Sequence, residues 1–303
     1  METAPKKVIQ GWAMYDWANS VYNLVITSTI FPAYYEAVTG DSNDKTIDHV
    51  QFLGRSFVNT ALYSYTLAIA FIVVAILSPL LSSIADYKGS KKKFLFLFCT
   101  IGSAGCSALY FFDQDNLLLG LSCMVVACIG FWGSLVFYNA YLPEIAAPED
   151  QDKVSARGFA MGYIGSSLLL IFSLTMVMFP EWYGGIEKGT AIRLAFLLVG
   201  VWWFGFAQIT FYHLKDPVKS TAPAGHYFLN GYRELRKVWD QLTHSPRLKG
   251  FLAAYFFYNM AVQTVFYVAT LFGDGELHLD SSILILIILI IQFVAIGGAY
   301  LFS

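Results

Sequence analysis

The chain has 303 residues, of which 57% are hydrophobic and only 13% charged, and its mean hydropathy is +0.56. Soluble domains carry about a quarter charged residues, so this balance excludes an ordinary soluble enzyme and places the chain in a membrane class. The formal net charge of −2 leaves no basic surplus for nucleic acid; in a membrane chain the informative quantity is the side on which Lys and Arg fall.

A helix needs roughly 20 mostly apolar residues to cross the hydrocarbon core. In chain order, uncharged runs of that length lie at 17–35, 56–85, 94–112, 116–143, 158–180, 194–212, 250–273 and 281–303, which predicts an all-α integral membrane protein of eight spans. Lys6 and Lys7 precede the first run as in a signal peptide, but the run is long and contains Asn19 and Asn23, so a retained span is expected. Residues 36–55, with Asp41, Asp44 and Asp48, read as an exposed polar loop. Cys99, Cys106, Cys123 and Cys128 all fall inside the third and fourth runs, where they act as small apolar residues. Gly158, Gly162 and Gly165 give the fifth run a smooth face suited to close helix packing. Within 213–249, Phe228, Tyr232, Leu235, Trp239 and Leu242 recur at spacings of three and four with charged residues between them, which predicts an amphipathic helix over 227–242. Such a helix either lies along the membrane face or packs on the helix ends.

With the N-terminus placed inside, the inner segments hold Lys6, Lys7, Lys88, Lys91, Lys92, Lys93, Lys153, Arg157, Lys215, Lys219, Arg233, Arg236, Lys237, Arg247 and Lys249. Only Lys45, Arg55, Lys188 and Arg193 remain for the outer ones, completing the 19 basic residues. That asymmetry, alternating across eight spans, orients the chain with both ends in the cytoplasm. "Inner" and "outer" below refer to this orientation.

Polar side chains in hydrocarbon face a bundle interior or a watery cavity. Asp16, Asn19, Asn23 and Thr27 follow an i, i+3, i+7, i+11 spacing and form one polar stripe. They are candidates for lining a solute cavity. Asp16 has no Lys or Arg close in sequence, so it is open to carrying a coupling proton, to pairing with a cationic group and to sitting solvated at the inner surface. Asn19 and Asn23 are open to solute binding and to hydrogen bonding between helices. Asn139, beside Tyr138 and Tyr141, and the pair Asn259 and Gln263 extend the candidates with the same two readings. Glu144 and Arg157 flank one inner loop and are expected to form an ion pair. No metal-ligand spacing and no phosphate-binding glycine loop is present, so neither a cofactor nor an enzyme is expected.

Aligning the first and seventh runs at an offset of 240 sets Tyr15 on Tyr255, Trp17 on Phe257, Asn19 on Asn259 and Asn23 on Gln263, as a parallel repeat would. The loop SSIADYKGSKKK at 82–93 resembles the signature between helices two and three of the major facilitator superfamily through Asp86, Gly89, Lys91 and Lys92. Ser82, Ile84 and Tyr87 depart from it. The strings GWAMYDWANSVYN at 11–23, FYNAYLPEIA at 137–146 and SARGFAMGYIGS at 155–166 resemble the vacuole effluxer, autophagy-related branch of that superfamily. The resemblance implies a major facilitator fold of twelve helices in two bundles. Residues 1–212 would then be the N-terminal six-helix bundle, 213–249 a cytoplasmic linker with the amphipathic helix, and 250–303 helices 7 and 8, the start of the second bundle. The segment ending at Ser303 would stand opposite Ser82, so the chain is expected to be C-terminally truncated.

The resemblance further implies secondary active transport of a small solute by alternating access, with amino acids as the solute class and a coupling proton as a possible partner. It places the chain in the cell membrane, or in the vacuolar membrane of a eukaryote. The alternative is a non-transporting membrane scaffold or an inactive transporter fragment. Orientation is tested by labelling. Cysteines introduced at Asp44 and Glu187 should react with an impermeant thiol reagent applied to intact cells, and cysteines at Ser90 and Lys219 should not.

Overall fold

The computed structural model describes residues 2–40, 48–88, 91–215, 236, 239–275, 277, 279 and 281–301. Helix α1 (Lys6–Val21) runs without interruption through a π-helical stretch, Tyr22–Ile30, into α2 (Phe31–Thr39). Pro32 lies in the first turn of α2, where the helix loses least from its missing N–H. A two-stranded antiparallel hairpin follows, β1 (His49–Phe52) and β2 (Arg55–Val58). Its turn residues Leu53 and Gly54 have φ of 50° and 75°, the left-handed pair that matches strand twist in a two-residue hairpin. The sequence reading expected only a polar loop here, because the Leu-Gly turn lacks the usual Asn or Asp.

The remaining helices are α3 (Asn59–Lys88), α4 (Lys91–Ala108), α5 (Leu117–Asn139), the single turn α6 (Leu142–Ile145), α7 (Gln151–Met178), α8 (Lys188–His213), α9 (Pro246–Gly275) and α10 (Ser281–Leu301). Each apolar run in the sequence lies largely within helical segments, the first of them spread over α1, the π stretch and α2. Among the described residues, five helices are long and apolar enough to cross a membrane: Asn59–Pro79, Lys91–Phe111, Gln114–Ile145, Pro148–Met178 and Lys188–His213. The first run does not qualify as one α-helix because it is divided between α1, the π stretch and α2.

Packing centres on α1, α4, α5, α7 and α8. Helix α1 lies against α7 and α8, α4 against α5 and α8, and α3 against α5. Small residues set these distances. A Cβ on Gly130 of α5 would run into the Gly102 backbone of α4, one on Gly102 would strike the Trp203 ring of α8, and one on Gly105 would lie 2.8 Å from the Ala127 nitrogen. Cys99, Cys106 and Cys128 are buried free thiols in the same seams. The surface carries exposed Ile69, Ile72 and Ile76 on α3 and Phe159, Leu168 and Phe172 on α7, as a lipid-facing surface requires.

Helix α10 packs on α7, and its Ile288 and Leu289 reach the core. Helix α9 behaves differently: it touches the π stretch and α2, yet every residue from 246 to 258 is exposed. The amphipathic helix expected over 227–242 lies largely outside the described residues. Arg236 and residues 239–243 are helical, and Trp239 is exposed. Because Gly130 meets backbone rather than a movable side chain, Gly130→Val should cost about 1–3 kcal/mol through overpacking. A thermal melt of the detergent-solubilised chain should fall by several degrees, while the same change at Gly205, which has open space around it, should leave it unmoved.

Candidate functional site

The stripe on α1 is enclosed rather than solvated. Asp16 is 7% exposed and Asn19 1%; Thr27 is buried and Asn23 half-buried. The Asp16 Oδ2 accepts a hydrogen bond of 2.7 Å from the Tyr138 hydroxyl at the inner end of α5. Tyr138 is itself held in place. The Trp12 ring stacks on it at 4.3 Å and 11°, Trp12 Nε1 donates to the Tyr138 carbonyl at 3.1 Å, and the Tyr15 ring lies 5.1 Å away. That carbonyl also accepts from the Tyr141 N–H at 3.1 Å, where α5 ends, and its second lone pair takes the indole.

Helix α7 closes the third side. A Cβ on Gly158 would collide with Asp16 Oδ2, one on Gly162 with Ser20 Oγ, and one on Gly165 would sit 2.8 Å from the Trp17 carbonyl. The glycine face expected to pack helices therefore packs on the carboxylate. Among the described residues no Lys, Arg or His pairs with Asp16, so its polar partner is a neutral phenol. Asn19 Nδ2 and Thr27 Oγ1 are buried without a hydrogen-bond partner among those residues, an expensive arrangement in hydrocarbon.

Asn259 and Gln263 are placed elsewhere. Both are half-buried and line a cavity of about 810 Å³ between α3, α5 and α9, together with Tyr63, Phe71, Trp132 and Tyr255. Its lining contains no Asp, Glu, Lys, Arg or His. Asp16, Asn19 and Asn23 are not part of that lining, so the structure brings Asp16 to Tyr138 and Asn259 to Gln263 but does not join the two groups. Asn139 is exposed at the end of α5, one residue beyond buried Tyr138.

On the inner side Glu144 pairs with Lys91, at 2.7 Å, and not with Arg157 as expected. The single turn α6 carries Glu144 to the start of α4, whereas Arg157 is already inside α7 beside Gly158. Lys91 and Lys92 are half-buried; Gly89 and the side chain of Asp86 lie outside the described residues. The chain start is tied to the same connector. Thr3 Oγ1 donates to Asp150 Oδ2 at 2.5 Å and accepts from the Ala147 N–H at 3.1 Å, and the Ala4 N–H donates to the Ile145 carbonyl at 2.8 Å. Sequence reasoning missed Trp12, Lys91 as the partner of Glu144, and the Thr3 tie, since each joins positions far apart in the chain. Among the described residues no group of three His, Cys, Asp or Glu side chains could hold a metal ion.

Long apolar helices joined by short connections, glycine seams between them and a carboxyl group enclosed among three helices define an all-α, multi-pass membrane protein of major facilitator type. The chain belongs to the family described as vacuole effluxer Atg22 like, which matches it over residues 4–151 and 147–303. It is 33% identical to the Bacillus subtilis MFS-type transporter YxiO over 94% of the chain and 64% of the relative. It is also 25% identical to autophagy-related protein 22 of Eremothecium gossypii, over 98% of the chain and 65% of the relative. The chain thus spans a little under two thirds of the length of these curated relatives. No solved structure matches it.

Removing the phenol hydroxyl in Tyr138→Phe strips Asp16 of its one donor and should cost about 1–3 kcal/mol, read as a lower melting temperature. The double change Tyr138→Phe with Asp16→Leu should recover much of that loss, because removing both partners leaves no buried polar group unpaired.

Proposed function

We propose that the chain carries out the N-terminal share of secondary transport, moving a small solute across the membrane by alternating access. In this reading residues 1–212 are one rigid bundle, 213–249 a linker, and 250–303 the opening helices of a second bundle that moves against the first. The observation that carries it is the cavity between α3, α5 and α9, floored by Asn259 and Gln263. Residues 246–258 of α9 are exposed, and the same helix touches α2. A cavity between the first bundle and the opening helix of the second is where alternating access would hold a solute.

Asn259 and Gln263 bind the solute in this state, and Asn139, exposed at the end of α5, meets it on the way in or out. Asn19 and Asn23 lie one helix away and join the solute only when α1 moves. Asp16 takes the coupling proton. Protonation removes the charge between α1, α5 and α7 and leaves the Tyr138 hydrogen bond to either form, so the helices can part and reseal around it. Amino acids are the solute class carried over from the family resemblance; the names of the family and of one relative support an effluxer and an MFS-type transporter.

The test is uptake of a labelled amino-acid mixture into liposomes carrying the full-length protein. Asn259→Ala and Gln263→Ala should each weaken apparent affinity roughly tenfold or more at normal membrane levels. Asp16→Asn should abolish stimulation by a proton gradient while sparing solute exchange. Unchanged kinetics in both amide variants would remove the cavity assignment.

A further inference from the structure

The first membrane helix is not α-helical in its middle. Nine residues, Tyr22–Ile30, form π turns, in which each N–H bonds five residues back instead of four. Such turns are rare, normally a single turn long, and concentrate at functional sites. Two hydroxyls brace this run. Ser28 Oγ donates to the Asn23 carbonyl, five residues back, at 2.8 Å. Thr29 Oγ1 donates to the Leu24 carbonyl, five back, at 2.6 Å and also approaches the Val25 carbonyl, four back, at 3.1 Å. The Thr29 hydroxyl therefore touches the π acceptor and the α acceptor together.

Three further facts bear on the run. Thr27, within it, is buried, and its hydroxyl has no hydrogen-bond partner among the described residues. Both α9 and α10 abut it. Beyond it, α2 is anchored outside by the Tyr34 hydroxyl, which donates to the Phe112 carbonyl at 3.0 Å, with the two rings 5.5 Å apart. Below it, α1 is anchored by the Trp17 ring stacked on Trp202 at 5.7 Å.

We propose that Tyr22–Ile30 is a register switch: the run converts between π and α turns as α9 and α10 move against it, and so rotates α2 relative to α1. Converting the run from π to α turns with no residue lost swings everything beyond it by about 100° about the helix axis. In the π register Asn19 and Thr27 are buried and unpaired; in the α register the spacing of Asn19, Asn23 and Thr27 becomes one continuous polar stripe. Ser28 and Thr29 are positioning residues that hold either register without breaking the helix. The link to solute rests on the transport reading above; the switch itself does not.

Deletion of Thr27 tests it, because losing one residue from a π run lets the run close as α while both flanking helices keep their faces. In a full-length background whose four native cysteines are replaced, Tyr34→Cys and Phe112→Cys report the outer anchor by disulfide trapping. Labelled amino-acid exchange in liposomes reports transport. The parent should trap incompletely, since two registers coexist. The deletion should accumulate in the membrane, trap at a different and uniform yield, and exchange at least tenfold more slowly. Deleting Ala13, in the α-helical part, should instead prevent accumulation.

The proposal is overturned if the parent already traps uniformly, if the Thr27 deletion fails to accumulate as the Ala13 deletion does, or if it exchanges at the parent rate. A parent that exchanges no amino acid, with incomplete trapping that the deletion makes uniform, removes the transport reading and leaves the switch standing.

Discussion

Without water in the hydrocarbon region, helices gain little from hiding apolar side chains from one another. They associate through close packing and through hydrogen bonds between the few polar groups they carry. The packing of α7 on α1 rests on both terms at one place. Glycine at 158 leaves room for the Asp16 carboxylate, and the Tyr138 phenol supplies the hydrogen bond that a carboxylate in such a place needs. A larger residue at 158 would push the carboxylate out of reach of the phenol, and without the phenol the glycine would serve only to bury an unpaired group. The two features are interdependent, and α1, α5 and α7 are positioned by them together.

The same economy of polar groups shapes the inner surface. Thr3, Ala4, Glu144, Ile145, Ala147 and Asp150 knit the chain start to the α5–α7 connector, and Lys91 joins α4 to it. The Lys91–Glu144 pair is only partly shielded, with side chains 13% and 33% exposed, so its contribution to stability is small, on the order of 0–1 kcal/mol. Its consequence is geometric. It fixes the entry of α4, and hence the face that α4 offers to α5 and α8.

Against this tightly seated set, the π stretch stands out by its backbone. A backbone that closes five residues back has a competing arrangement four residues back, and Thr29 already touches the acceptors of both. Helix α9 touches that stretch, and its residues 246–258 are exposed.

Much of this was legible in the sequence. Uncharged runs of membrane length located the helices because every backbone amide in hydrocarbon must bond within its own segment, which makes length and apolarity sufficient signals. The glycines at 158, 162 and 165 announced a close contact, and the strings around Asp16, Asn139 and Arg157 announced the family. What stayed hidden depended on partners distant in the chain. Sequence spacing could not tell whether Asp16 was solvated or enclosed, since Tyr138 and Gly158 reach it only through folding. It assigned Glu144 to Arg157, a neighbour in sequence, where the turn of α6 gives it Lys91. It also placed Thr27 in register with Asn19 and Asn23 by assuming 3.6 residues per turn throughout. Only the tertiary structure, with hydroxyls at 28 and 29 bracing longer turns and α9 and α10 pressed against them, decided that the first helix leaves that period at Tyr22.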